Sequence, residues 1–588
     1  MKINLDYLSG IRKQYINDKQ FVNILSALVG LLVGLAAVAI KNFVFLIQNL
    51  LKDESLSTLQ HYFYFVYPIF GVLLVILFVK YIVREKVQHG IPSVLYSIAE
   101  TKGHIKKHNL FSSIVTAGLT VGFGGSVGLE GPTVVTGAAY GSAIGRFFKL
   151  NYKQIIILLG AACAGAMSAI FKAPIAGIVF AIEVIMIDLT ISSVLPLLIS
   201  SLMAVLTSYL FLGSEVLYHF ELKEAFKMID LPFFILLAIL TGLISAYFTK
   251  IYIFIQKKFG HFKNPYLKLS ISGLILGILI FLFPALYGEG YKIINAALAG
   301  NVNFIVESSI INSISSNTLM GLLIIGLIIL LKSFATSFTF SSGGVGGIFA
   351  PTLFMGSLSG LLFASIFNQI GYHLPIENFA LAAMAGTIAG VLQAPLTAIF
   401  LIAEISGGYQ LLIPLMIVSL ISYLSSHLFI KNSVYTYQLA QRGQLITHHA
   451  DRNMLKLIHI EQLIETDFKT INPIAKLGDL VKLISISSRN IFPVVKSNGD
   501  YVGIIKFSDV RNIIFKPNLY DKIKITELIT YPEFVITKNE TMENIAYKLN
   551  KHEVYNIPVV ENGKYIGFIS RANFFAEYRK LLKEFSED

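Results

Sequence analysis

The sequence predicts an all-α polytopic membrane domain with broken helices, built as two related halves and followed by a smaller cytoplasmic α/β pair. Three observations predict it. Charged residues make up only 14% of the 588 residues, while apolar and aromatic ones reach 55%; soluble domains carry about 25% charged residues. Apolar segments recur up to residue 430, and many are cut by Gly or Pro. From about Leu455 the apolar runs shrink to five or six residues and alternate with charged helical stretches.

In chain order, Arg12, Lys13 and Lys19 precede a first apolar run at 21–51. That run is too long for a signal-peptide core and reads as a long, tilted membrane helix. Further segments lie at 62–83, 110–127, 132–148, 154–171, 174–188 and 191–213. A second set lies at 232–256, 268–286, 318–337, 351–370, 377–392, 395–406 and 410–430. Several fall short of the roughly 20 residues a full span needs. Short helices at membrane depth survive only where protein buries them or where they line a wet cavity. The Lys/Arg-rich loops 81–109, 146–153 and 250–268 belong in the cytoplasm, and the loop at Asp53 and Glu54 outside. On that placement 110–127 and 132–148 re-enter the membrane, with Glu130 at their turn on the outer side. The net charge of +12 is spread over such loops, so nucleic acid is not the expected partner. Cys163 is the single cysteine, which excludes an intramolecular disulfide.

The expected organisation is a cytoplasmic segment 1–20 and a membrane domain 21–437 with halves at about 21–215 and 230–430. A polar linker 438–454 and two soluble units, 455–520 and 521–588, follow. Both termini then lie in the cytoplasm of a multi-pass protein of the cell membrane.

The stretch from Gly124 to Pro132 holds four glycines and a proline in nine residues, so an unbroken helix is not expected there. Pro132 is placed to open a new helix, where its missing N–H costs nothing. The amides around Gly131 would then face out of a helix N-terminus, an end that attracts anions. Glu130 is a carboxylate at membrane depth, which is expensive and points to function. It would serve there as a tethered anion competing with a diffusible one. The plainer alternative is a surface turn with a solvated glutamate.

Both parts of the chain repeat. Gly160–Pro174 matches Leu381–Pro395, with Gly165 on Gly386 and Pro174 on Pro395, a shift of 221. Each proline is followed nine residues later by a glutamate, Glu183 or Glu404. Pro132 has its counterpart in Pro351, a shift of 219. Repeats with broken helices place a substrate site at the repeat interface. Generic small-residue packing explains the glycines but not two matched Pro-to-Glu spacings. In the soluble part Phe492–Val495 returns as Ile557–Val560, a shift of 65 that Ile460 and Ile525, and Leu480 and Ile545, also keep. Each unit reads as strand, helix, two strands joined by a turn at Gly499 or Gly563, then helix.

These motifs resemble the CLC family of chloride channels and chloride/proton antiporters, with a C-terminal pair of CBS domains. Gly128–Pro132 matches the family's GxEGP, and the resemblance puts Glu130 at its gating glutamate. Gly347–Pro351 matches GxFxP, which implies that the Ile348 and Phe349 amides hold the central anion. Tyr435 falls at the tyrosine whose hydroxyl coordinates that anion, and Gly90, Ile91 and Gly131 join the anion-binding set. The resemblance also implies a homodimer with one pathway per subunit.

Two positions depart from the family pattern. GSGIP appears as Gln88-His89-Gly90-Ile91-Pro92, so His89 stands where a serine usually faces the anion. The imidazole either donates to the anion or turns away and leaves the helix amides to act alone. Antiporters commonly carry an internal proton acceptor where this chain has Val184; Glu183 precedes it and reads as structural. Valine favours passive conduction. The expected function is therefore transport of an anion, chloride foremost, through a channel of the voltage-gated type by resemblance. The alternatives are a chloride/proton antiporter, fluoride or nitrate transport, a CBS-regulated cation transporter, and an intramembrane enzyme using Glu130 with His89. No constellation suggests covalent chemistry, a metal or a resident cofactor in the membrane part. The CBS pair is a candidate adenine-nucleotide site at Asp509, Ser570 and Asn573, with each unit keeping half of the signature; the alternative is a dimerising scaffold.

Overall fold

The computed structural model describes residues 17–51, 60–85, 87, 90–185, 191–213, 225–307, 318–437, 455, 458, 460–551 and 554–586. His89, the linker 438–454 and all of the N-terminal segment before Asn17 lie outside the described residues. The chain divides into two compact units, 1–445 and 446–588.

In the first half of the membrane unit α1 (Asp18–Leu50), α2 (Gln60–Phe78), α3 (Gly90–Glu100) and α4 (Ser112–Gly122) lead to α5 (Glu130–Phe147). There follow α6 (Tyr152–Phe171), α7 (Pro174–Glu183) and α8 (Ile191–Leu212). The second half runs through α9 (Leu231–Gly260), then α10 (Pro265–Leu282) with a π turn at Leu269–Gly273, and the short α11 (Tyr291–Leu298) and α12 (Val302–Glu307). It closes with α13 (Thr318–Ser342), α14 (Phe349–Gln369), α15 (Ile376–Leu392), α16 (Pro395–Ile405) and α17 (Leu412–His427). Eight of the described helices are long and apolar enough to cross a membrane.

Three expectations shift. The basic loop 81–109 contains α3, because Gly90 opens a helix that continues on the apolar face Ile91, Val94, Leu95 and Ile98. In the segment expected at 174–188 the helix ends at Glu183, Val184 and Ile185 leave it, and 186–188 lie outside the described residues. Helix α5 starts at Glu130, so Pro132 is its third residue rather than its first. Proline is accommodated there because no N–H of the first turn has an intrahelical acceptor.

Local chemistry sets the breaks. Helix α6 begins with a capping box: the Gln154 amide donates to Asn151 Oδ1 (2.9 Å) and the Asn151 amide to Gln154 Oε1 (3.2 Å). It ends at Lys172 in the left-handed region, φ 57°, and Pro174 then starts α7. The second half repeats this stop with Gln393 at φ 56° and Pro395.

Glycines set the helix spacing. A Cβ on Gly137 would lie 2.9 Å from Ala162 O, and one on Gly141 2.8 Å from Leu158 O. Their counterparts at a shift of 219, Gly356 and Gly360, meet Met384 Cα at 2.5 Å and Phe379 O at 2.3 Å. The α5/α6 and α14/α15 pairs therefore pack backbone to backbone, as membrane helices do where small residues line the contact.

The soluble unit holds the antiparallel pair β2 (Ile491–Val495) and β3 (Tyr501–Lys506), and the sheet β1 (Ile464–Glu465), β5 (Lys564–Ser570), β4 (Asn556–Glu561). Both hairpins carry a register shift, at Val494/Val495 and Val559/Val560, so the repeat extends to the irregularity. The first strand of each unit is reduced to single bridges, Ile471 to Val494 and Ile536 to Val559. Ile460 packs into the core of the second unit with Ile557 and Ile569. Ile525, its repeat mate, packs into the core of the first with Leu480 and Phe492.

Candidate functional site

The breaks before α5 and α14 meet. Gly128 N donates to Gly347 O at 2.9 Å, and Gly347 N to Gly128 O at 2.7 Å. Flanking amides are capped across the halves: Ser126 N donates to Thr339 Oγ1 (3.1 Å) and Val345 N to Thr120 Oγ1 (3.0 Å). Both threonines are buried and stand 219 residues apart. Unwound backbone in a dry interior needs such partners, because an unpaired amide there costs as much as a lost hydrogen bond.

Three helix N-termini converge on this junction. A Cβ on Gly131, the second residue of α5, would lie 3.2 Å from Gly346 O and Gly347 Cα. Gly90 opens α3 at φ 59°, and a Cβ there would lie 3.8 Å from Gly346 O. Phe349 opens α14 and is fully buried, with Ile348 as its N-cap. First-turn amides lack intrahelical acceptors, and each end carries about half a positive charge.

Glu130 is seated among these ends with no exposed surface. Tyr291 Oη donates to its Oε1 at 3.2 Å. Its Oε2 fills the space over two glycines: a Cβ on Gly128 would lie 2.0 Å from it, and one on Gly347 2.8 Å. The amides of Glu130 itself and of Ala350 also act on the carboxylate. A negative group thus occupies a volume that backbone dipoles make attractive to negative groups.

One wall of this seat is Tyr287–Tyr291. Tyr287 packs on Gly124, where a Cβ would lie 2.0 Å from its ring, and Gly288 N donates to Gly124 O at 3.1 Å. Lys332, fully buried on α13, donates to Gly288 O at 3.2 Å and lies 4.5 Å over the Phe354 ring. Lys41 donates to Ile170 O at 2.7 Å. Lys41 and Glu289 complete the charges that act on Glu130.

Tyr435 is buried, and its hydroxyl has no hydrogen-bond partner among the described residues. It lines a cavity of about 220 Å³ with Val184, Glu183, Gln393 and Asn432. Buried hydroxyls nearly always have a partner, so this one marks a place for a ligand or water. Glu183 is engaged: its Oε1 accepts Leu396 N at 3.0 Å, and its Oε2 accepts Thr397 N and Thr397 Oγ1 at 2.7 Å.

The structure therefore brings Glu130, Gly90, Ile91, Gly131, Ile348 and Phe349 to one junction, and Val184 and Tyr435 to one cavity. Tyr291, Glu289, Lys332 and Lys41 were not singled out in the sequence. Lys332 and Lys41 did carry a signal, each as the single charge within a long apolar run.

In the soluble unit the Asp509 carboxylate accepts from Ser508 Oγ (2.9 Å) and Thr530 Oγ1 (3.2 Å). Ser570 Oγ donates to Glu465 Oε1 and accepts Asn573 N at 3.1 Å. Arg489 pairs with Glu465 (2.7 Å) and Asp467 (2.8 Å) and lies 4.7 Å over the Phe468 ring.

Residues 70–427 match the family described as voltage gated chloride channel, and 460–516 and 525–580 match the CBS domain. A ClcB-like chloride channel protein of Ralstonia nicotianae is 27% identical over 387 residues, 64% of this chain and 85% of that one. A slow cyanobacterial Cl⁻/H⁺ antiporter superposes with a TM-score of 0.63 at 22% identity, over 73% of this chain and 98% of that one. A eukaryotic CLC transporter gives 0.60 at 18%, over 94% and 97%. A CLC-type fluoride/proton antiporter gives 0.58 at 24%, over 71% and 97%.

Proposed function

The chain belongs to the voltage gated chloride channel family and is a multi-pass membrane protein of anion transport; from that premise we propose that chloride passes through a site gated by Glu130. The observation that carries this reading is the seating of the Glu130 carboxylate among three helix N-termini. A side chain that fills an anion's place blocks it when seated and opens it when protonated or displaced. The Ile348 and Phe349 amides, with Gly90, Ile91 and Gly131 at the neighbouring ends, cradle the anion, and the Tyr435 hydroxyl receives it on the cytoplasmic side.

Passive conduction is the favoured mode. A proton route from the cytoplasm needs a carrier in the Tyr435 cavity. Val184 holds none there, and Glu183 is committed to the amides of α16. The antiporter reading draws on the similar structures that are described as antiporters. Reconstitution into liposomes with a chloride gradient and no pH gradient separates the two. A channel lets chloride run down without moving protons; uphill proton movement, abolished in Glu130→Ala, would overturn the channel reading.

The protein acts as a homodimer with cytoplasmic termini. Leu198, Leu202 and Leu206 on α8 recur as Met416, Leu420 and Leu424 on α17, all about half exposed. Two matched apolar stripes suit a symmetric interface between subunits. For the CBS pair we favour the scaffold role. Adenine nucleotide is the ligand class such a pair would take, and it would have to displace Thr530 from Asp509 or Glu465 from Ser570.

A further inference from the structure

We propose that the Tyr291 hydroxyl is a ligand of the anion position now held by the Glu130 carboxylate, donating to the carboxylate when it is seated and to the transported anion when it leaves. The proposal rests on the reading of Glu130 as the gate and adds a residue that no motif of the sequence marks.

The geometry is direct. Tyr291 Oη lies 3.2 Å from Glu130 Oε1, while Oε2 rests over Gly128 and Gly347. One carboxylate oxygen thus takes a side-chain donor from a different element, while the other rests against the backbone of the helix ends with no hydrogen-bond partner among the described residues. An anion that replaces the carboxylate meets the same set. Its hydrogen bond from a hydroxyl would be charge-assisted, the stronger class.

The hydroxyl is also held in place. Tyr291 opens α11 directly after Gly290, which lies at φ 84°. A Cβ on Gly290 would lie 2.5 Å from Phe354 Cδ2, so only glycine lets this loop press against α14. Lys332 pins the loop at Gly288 O and stacks on the same phenylalanine. Gly124 O receives Gly288 N, and Tyr287 packs on Gly124. The loop is thus fixed to α13, α14 and the break before α5 at once. A donor fixed in advance loses little freedom on binding.

Tyr291 and Tyr435 then play complementary parts. The Tyr435 hydroxyl has no partner among the described residues and waits for a ligand. The Tyr291 hydroxyl has one, and that partner is the gate. An anion moving between the two positions would leave one tyrosine donor for the other. The charged groups facing Glu130 are Lys41 from α1 and Glu289 from the same loop, with Lys332 acting on Glu289.

The test uses the full-length protein in detergent and measures chloride binding by calorimetry. Four proteins are compared: wild type, Tyr291→Phe, Glu130→Ala, and the double variant. Glu130→Ala removes the competitor, so any further loss on adding Tyr291→Phe belongs to the anion. The expected loss is about ten-fold in affinity, the size of a charge-assisted hydrogen bond. Equal affinity of Glu130→Ala and the double variant overturns the proposal. Equal chloride affinity and flux in wild type and Glu130→Ala would instead sink the gate reading. Thermal stability and elution volume of each protein control for folding, and the phenylalanine keeps the ring. If the phenylalanine variant is unstable, Tyr291→Trp gives the second reading: a large ring whose N–H cannot reach the same point should lose the same affinity, and retention of wild-type affinity counts against the proposal.

Discussion

Glu183 and Glu404 cap each other's helices. Glu183 receives the amides of Leu396 and Thr397 at the start of α16, and Glu404 receives those of Ile175 and Ala176 at the start of α7, at 3.0 and 2.7 Å in both cases. The matched Pro-to-Glu spacing thus records a reciprocal structural device. Carboxylates at helix N-termini satisfy orphan amides and meet the favourable end of the dipole.

Glu404→Ala and Glu183→Ala should each destabilise the protein by about 1–2 kcal/mol, the usual cost of losing an N-cap. Thermal unfolding of the purified protein measures this. Anion flux per folded molecule should be unchanged. Loss of flux with full stability would mean that Glu183 works in the pathway.

Glu130→Gln and Glu130→Ala should keep passive anion flux and lose its acid response. In the wild type, protonation removes the charge that holds the side chain among the helix ends, so channel-type flux rises as pH falls. Flux recorded across a pH series should be flat in both variants. A response that persists in both places the pH sensor elsewhere.

Tyr435→Phe removes a buried hydroxyl with no partner among the described residues, so it should cost less than about 0.5 kcal/mol of stability, within the range of neutral substitutions. It should weaken chloride binding several-fold. A large fall in unfolding temperature would mean that the hydroxyl has a structural partner such as a water.

Gly141→Ala and Gly360→Ala should each destabilise by about 1–3 kcal/mol, the cost of forcing packed elements apart. Gly408→Ala should be neutral, because nothing lies within 4 Å of a Cβ there. The comparison needs only thermal unfolding of three variants.

If the CBS pair is a scaffold, millimolar ATP or AMP should leave the unfolding temperature of the full-length protein unchanged. A ligand of the folded state must raise it. A rise that Asp509→Ala or Ser570→Ala reduces would establish nucleotide binding.

The repeat was legible because it is written in proline, glycine and glutamate, whose spacing survives while the apolar residues between them change. Gly128–Pro132 and Gly347–Pro351 pointed to the junction for the same reason. Helix α3 was hidden because its eleven residues sit in a basic loop. The threonine caps, Thr120 and Thr339, were illegible: a threonine in an apolar helix looks the same whether it bonds its own turn or an amide of the other half. Tyr291 was illegible because its role depends on a loop folded back from 161 positions away. The interchange of Ile460 and Ile525 between the two soluble cores left no trace in the repeat, since both positions ask only for a buried aliphatic residue.

The paired hydrogen bonds between Gly128 and Gly347 have a mechanical consequence. They rivet the mouths of the two halves at the point where a rocking transporter would have to part them. Separating the halves there would strip two buried amides of their partners at every turn of a cycle. If Glu130 is the gate, it would swing on a fixed frame, and hydrogen exchange at the two glycines should be equally slow whether chloride is present or absent.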